Sequence, residues 1–217
     1  MAAPGSFERP HRPGEHEAAL PDDRRSAIRL AALLLFATRG YLATTMADIG
    51  AAVGVRGPSL YKHVASKQEL LAEIMTGTMA RLLAGFQDAI SSTDDVREQL
   101  RRAVEAHVRY HAQHRFEAFV GNREIANLAQ PARDLVLRHR SDYERGLRRL
   151  IERGAAEGVF TVRSAQLASY SILDMGIGVA AWYREGGEFS VDQLAYQYGD
   201  LALRMVGAAP QRHQSPA

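Results

Sequence analysis

The sequence predicts an all-α protein, on three observations. Valine, isoleucine, threonine and tyrosine are nowhere grouped into alternating runs joined by hairpin turns. Apolar residues recur instead at three- and four-residue spacing over long windows. Those windows open on Ser, Thr, Asp or Pro and close on Gly, the residue types that begin and end helices. With 217 residues, 46% apolar and 24% charged, the chain has ordinary globular composition and length for one large domain or two small ones.

Residues 1–21 hold Pro4, Pro10, Pro13 and Pro21 without an apolar period, and a disordered tail is expected there and over 209–217. The first helix is expected over 22–39. Asp22 and Asp23 suit its positive end, Ile28, Ala32, Leu35 and Phe36 share one face, and Gly40 stops it. Thr44 or Thr45 caps a short second helix reaching Val53, with Asp48 at the third helical position if Thr45 is the cap; Gly54 ends it. A third helix begins at Gly57-Pro58, where proline is tolerated because a first-turn N–H has no partner. Ser66 caps a fourth over 67–90, in which Leu71, Ile74, Met75, Leu82 and Phe86 keep the helical period. Further helices are expected near 95–115, 116–128, 131–158, 164–184 and 190–206. Asp94, Pro131 and Ser190 mark starts, the last in a box with Gln193, and Gly158 and Gly186-Gly187 mark stops.

Composition narrows the function classes. The absence of cysteine removes disulfides, thiol catalysis and thiolate zinc sites. No window holds 18 uncharged apolar residues, and residues 1–20 lack an apolar core of signal-peptide length, so a cytoplasmic protein is expected. There is no Gly-rich phosphate loop, His-Glu-x-x-His or Gly-x-Ser-x-Gly. No catalytic residue and no cofactor is therefore assigned, and a helical enzyme is the remote alternative. The net charge of +2 is unevenly placed: residues 22–82 carry eight cations and five anions, net +3, whereas 83–217 carry 17 of each. A basic excess confined to one segment points toward nucleic acid.

That segment contains what a helix-turn-helix needs. Val53-Gly54-Val55 supplies a corner where glycine adopts a backbone that a Cβ opposes. Ile49, Ala52, Val53, Val55 and Leu60 let two helices cross closely. The second helix then offers the major groove short polar or cationic groups: Arg56, Gly57, Pro58, Ser59, Lys62 and His63, with Tyr61 long enough to reach a phosphate. Lys67 opens the next helix, where its cation and nearby N–H groups suit a backbone phosphate. Tyr61 and His63 have a second role open to them, packing in the motif's own core.

Thr44-Thr45-Met46-Ala47-Asp48-Ile49-Gly50-Ala51-Ala52-Val53-Gly54-Val55, then Ser59-Leu60-Tyr61-Lys62-His63-Val64 and Ser66-Lys67-Gln68-Glu69-Leu70-Leu71, resemble the signature of TetR-type repressors. Leu35-Phe36-Ala37-Thr38-Arg39-Gly40-Tyr41 extends the likeness. The resemblance implies a three-helix DNA-binding domain over 22–82, with its motif at about 45–64, and a helical ligand-binding and dimerisation domain over 83–208. It implies a homodimer on a palindromic double-stranded DNA operator, released by a small-molecule effector. Carried over residue by residue, it implies DNA contact by Thr45, Arg56, Gly57, Pro58, Ser59, Tyr61, Lys62, His63 and Lys67. Gly57-Pro58 departs from the commoner pattern of a small polar residue followed by glycine, which leaves open the bases that are read.

In the C-terminal part, Ala168, Ile172, Met175, Val179 and Trp182 follow a heptad, and Leu194, Tyr198, Leu201 and Met205 repeat it. Ile172, Met175, Val179, Leu194, Tyr198, Leu201 and Met205 are the expected dimer interface, a four-helix contact between two copies; the other use of such seams is the protein's own core. Gly176, Gly178, Ala180 and Ala181 would allow close approach. Ala181-Trp182-Tyr183-Arg184, Gly186-Gly187, Ser190, Leu194, Leu201-Ala202-Leu203-Arg204 and Asn122-Arg123-Glu124-Ile125 resemble a narrower branch of the family. Its members control fatty-acid or steroid degradation and sense acyl-CoA thioesters. An effector site including Phe86, Arg123, Asp174 and Trp182 is expected; Asp174 either orients ligand or accepts a hydrogen bond in the core. Arg133, Arg138, Arg140, Arg145, Arg148, Arg149 and Arg153 suit CoA phosphates or else form a solvated helix face. His107, His111 and His114 fall at i, i+4 and i+7 and leave open a metal-responsive repressor.

Overall fold

The computed structural model describes residues 23–208; the stretches read as tails, 1–21 and 209–217, and Asp22 lie outside them. Asp23 accepts the Ser26 N–H and starts α1 (Arg24–Arg39), which ends where Gly40, at φ 91°, donates its N–H to the Phe36 carbonyl. Ile28, Ala32 and Phe36 are buried as expected, but Leu33 takes the place given to Leu35. The shift has a cause: α1 packs on two partners, α2 and α6, so its buried arc is wider than one stripe.

The helices α2 (Met46–Ala52), α3 (Gly57–Leu60), α4 (Lys67–Ser91), α5 (Val96–Gln113), α6 (Arg115–Arg123), α7 (Ala132–Ala156), α8 (Ala165–Trp182) and α9 (Val191–Met205) follow, with a 3-10 turn at Ile125–Asn127. No strand occurs among the described residues. Ser66 caps α4 through the Glu69 N–H, and Ser190 and Gln193 form the reciprocal box that starts α9. Two expectations change. The cap of α5 is Asp95, not Asp94: its Oδ1 accepts the Arg97 and Glu98 N–H groups at 2.8 and 3.2 Å. The helix expected over 116–128 stops at Arg123. The Gln68 side chain accepts the Ala129 N–H and donates to the Asn127 carbonyl, so backbone groups that a longer helix would satisfy already have partners.

Packing divides the described residues into two units. The first comprises residues 23–81 with His114–His139, so α6 joins the helix-turn-helix, resting on α1. Its core holds Ile28, Phe36, Ile49, Leu60, Leu70, Leu71 and Ile74, all almost fully buried; each contributes about 1.5–3 kcal/mol by leaving water. The second comprises Leu82–Gln113 with residues 140–208. There α8 and α9 both pack on α5 and touch each other little. Leu100, Val104 and Val108 of α5 meet a buried set that includes Ile172 and Val179 of α8 and Leu194 and Ala202 of α9.

Candidate nucleic-acid interface

Thr45 is the α2 cap. Its Oγ1 accepts the Asp48 N–H at 3.1 Å, and Asp48 accepts the Thr45 N–H at 2.8 Å and the Thr45 hydroxyl at 2.6 Å. Those bonds, led by the hydroxyl, and Arg39 at 3.5 Å hold the Asp48 carboxyl below its ordinary pKa. Gly54 turns the corner at φ 67°, as its position predicts. A second glycine is needed for a reason the sequence does not display. A Cβ on Gly50 would stand 2.6 Å from the Val55 carbonyl oxygen, at the point where the Val55 N–H bonds the Gly50 carbonyl at 2.8 Å.

The helix expected to face DNA, α3, is one turn long. Arg56 is its N-cap, Pro58 lies in its first turn, and residues 61–63 continue as a turn. Leu60 and Val64 face inward, while Arg56, Gly57, Pro58, Ser59, Tyr61, Lys62 and His63 are exposed together with Thr45. Tyr61 is 56% exposed and His63 lies on the surface, so neither takes the core role left open for it. Arg56 and Lys62 form no ion pair with another described residue. Behind this face the charges are spoken for: Arg25 donates to the His63 carbonyl, to Glu69 at 2.6 Å and to Glu73. Glu69 also accepts the Ala65 N–H, the largest reason its carboxyl titrates low.

Lys67 sits differently from the rest. Its Nζ donates to the carbonyls of Tyr41 at 2.8 Å and Thr44 at 2.7 Å, and lies 4.2 Å from the Tyr41 ring centroid. Two of the three ammonium donors are thus committed to the turn before α2.

The residues expected at an effector site differ in their surroundings. Phe86 is buried, edge-on to Tyr143 with centroids 5.5 Å apart. Asp174 is exposed, and so accepts no core hydrogen bond; Trp182 is 47% exposed. Arg123 belongs to the first unit, exposed, with its guanidinium over Phe119. Among the seven arginines of α7, Arg145, Arg148 and Arg153 pair with Asp142, Glu144 and Glu157 one helical turn away, as on a solvated face.

The dimer seam is corrected in part. Ile172, Val179 and Leu194 are at most 5% exposed in the single chain, because these positions pack toward α5. Met175 and Tyr198 are half-buried, and burial raises the Tyr198 pKa. The outward apolar residues are Leu201 and Met205 of the expected set, with Leu167, Tyr170, Trp182 and Tyr196. Gly176 likewise serves the interior: a Cβ there would run into the His107 ring.

The histidine trio is not a metal centre. No group of three His, Asp or Glu among the described residues stands where it could hold an ion. His107 Nε2 faces the Leu173 carbonyl at 3.2 Å and Nδ1 faces the Tyr143 hydroxyl at 3.0 Å, while His111 Nδ1 bonds the His107 carbonyl at 2.9 Å. His114 begins α6 near Glu117. Since a carbonyl only accepts, His107 carries its proton on Nε2, and the Tyr143 hydroxyl donates to Nδ1. Burial, then the neighbouring His111, drives the His107 pKa well below 6.5. An unfolded histidine gains its proton near 6.5 and the folded one only at lower pH. Stability is therefore expected to fall as pH drops below 6.5, by up to about 1.4 kcal/mol per unit, until the folded value is reached. Thermal melting of wild type and His107→Gln between pH 7 and pH 5 checks this; equal acid slopes would assign the loss to other groups.

Residues 28–74 match the family described as bacterial regulatory proteins, tetR family, and residues 93–206 match one described as tetracyclin repressor-like, C-terminal domain. The HTH-type transcriptional repressor KstR2 of Mycobacterium tuberculosis is 30% identical over 184 residues, covering 84% of this chain and 92% of that protein. The structure of that organism's KstR2, a ketosteroid transcriptional regulator, superposes with a TM-score of 0.80 at 28% identity, covering 88% of this chain and 97% of the other. A regulatory protein in the tetR family from Rhodococcus RHA1 gives 0.79 at 31%, covering 87% and 100%. AibR, in complex with isovaleryl coenzyme A and operator DNA, gives 0.74 at 21%, covering 86% and 100%, a likeness of fold.

Proposed function

Since the chain belongs to the TetR family of bacterial regulators, we propose that it is a ligand-responsive transcriptional repressor, binding a palindromic operator as a homodimer and released by an acyl-CoA thioester. The observation that carries the DNA side is the exposed face from Arg56 to His63, where two cations with no ion pair among the described residues and several short side chains stand around a one-turn helix. Bases are read by such groups in the major groove, and phosphates by the cations and hydroxyls beside them. Thr45, Gly57, Pro58, Ser59 and Tyr61 complete the contact. A cytoplasmic location follows from a DNA partner; no described helix is long and apolar enough to cross a membrane.

Dimerisation is supported by the outward apolar residues of α8 and α9, Leu167, Tyr170, Tyr196, Leu201 and Met205, which a second copy would cover. The effector class is supported by kinship to KstR2, a regulator named for ketosteroids, and by a fold that in AibR holds a CoA thioester and operator DNA together. Within the second unit, Phe86, Asp174 and Trp182 are the residues we assign to ligand, the apolar ones to the acyl chain.

The test begins with duplexes selected from random sequence by the purified protein. Affinity should fall with salt at a log–log slope of about −0.9 per phosphate neutralised. Acyl-CoAs of increasing chain length are then titrated into the complex. Tenfold release requires about 1.4 kcal/mol of differential affinity, and operator should weaken ligand binding by the same factor. Calorimetry showing no acyl-CoA binding to the free protein would remove the effector class. Failure to select any duplex would remove the repressor.

A further inference from the structure

The turn that delivers Thr45 to α2 is gripped from behind. The Tyr41 N–H donates to Glu124 at 3.3 Å, and the same carboxylate accepts from the Asn127 side chain at 2.6 Å. Gln68 Nε2 donates to the Tyr41 hydroxyl at 2.6 Å and to the Asn127 carbonyl at 2.7 Å, while its Oε1 accepts the Ala129 N–H at 3.0 Å. An inverted Gln68 amide would set its oxygen against the Asn127 carbonyl and its NH2 against an N–H, so the orientation is fixed by the partners. Lys67 closes the other side through the Tyr41 and Thr44 carbonyls. Tyr41, Thr44 and Glu124 are all buried.

Thus the backbone of a short turn is anchored on residues 23 to 83 positions away, immediately before the first residue of the DNA-facing α2. The Asn122–Ile125 stretch, noted above only for its likeness to a branch of the family, contributes a buried acid to the rear of the helix-turn-helix. We propose that Glu124, Gln68 and Lys67 are positioning residues for operator binding: they set the entry of α2, and Lys67 acts through the Tyr41–Thr45 turn, not on a phosphate. The inference rests on the reading that the Thr45-to-His63 face binds DNA.

Glu124→Ala and Lys67→Met are each expected to weaken binding to the selected duplex by about tenfold, the cost of one or two lost buried hydrogen bonds. The salt slope should stay at the wild-type value. Glu124→Gln, which keeps an acceptor for the Tyr41 N–H, should recover most of the affinity, a rescue that simple loss of packing would not show. In the free protein, hydrogen exchange at the Asp48 and Ile49 amides, both bonded to Thr45, should accelerate in Glu124→Ala and Lys67→Met. Gln68→Ala, at a half-buried position, carries the affinity and exchange measurements if Glu124→Ala does not fold. A salt slope smaller by about 0.9 in Lys67→Met would put that lysine on a phosphate and overturn its assignment. Folded Glu124→Ala or Gln68→Ala with wild-type affinity and exchange would overturn the rest. Exchange needs no DNA, so a wild-type protein that binds no duplex sinks the operator reading by itself, and unchanged exchange sinks the positioning one.

Discussion

Replacing Leu201 and Met205 with aspartate is expected to give folded monomers that no longer hold an operator at nanomolar concentration. Both side chains are more than 40% exposed within the protomer, so the helix bundle does not need them to fold. In a dimer they would be covered, and an unpaired carboxylate in that apolar contact is strongly destabilising. A dimer bound at about 1 nM holds roughly 12 kcal/mol, and a monomer on one half-site about half of that, which is tens of micromolar. The expected loss is therefore at least about a thousandfold. Sedimentation reads the assembly and titration of the selected duplex reads the affinity. A dimer that persists would place the interface elsewhere. Leu194→Asp is the wrong test, because Leu194 is 5% exposed and its loss damages the α5 contact first.

Arg56→Ala combined with Lys62→Ala is expected to remove both affinity and sequence preference. Each cation is exposed on the recognition segment without an ion pair to a described residue, so no described carboxylate competes with DNA for it. A base-edge contact is worth about 1–3 kcal/mol of discrimination, so two together change the preference by about thirtyfold or more. Selection from random duplexes with the double variant should return a degenerate consensus at the positions these side chains face. An unchanged consensus with weaker binding would confine both residues to the phosphate backbone.

The candidate interface was largely legible in the chain itself. Arg56, Ser59 and Lys62 are surface residues of the motif, as their types and spacing predict; Tyr61 and His63, for which core packing was also open, join them on the surface. Gly50 and Glu124 were not legible in the same way. The need for glycine at residue 50 arises from a carbonyl five residues on that folds back over it, and Glu124 acts on a turn more than 80 residues earlier. Nothing in the local sequence of either announces its partner.

Local chemistry determined the punctuation of this protein: Thr45 with Asp48, Ser66 with Glu69 and Ser190 with Gln193 cap helices, and Gly40 and Gly54 take positive φ. Those outcomes depend on backbone groups within about four residues, and the sequence holds all of them side by side. Tertiary structure alone decided which partner each helical face meets. The heptads of α8 and α9 specify apolar stripes, but whether Ile172, Val179 and Leu194 close on α5 or on another protomer depends on where α5 comes to lie. Likewise His107 on α5 became a buried, hydrogen-bonded imidazole because Tyr143 and the Leu173 carbonyl, 36 and 66 residues away, arrived beside it. Periodicity defines a face; only the folded chain supplies the surface it packs against.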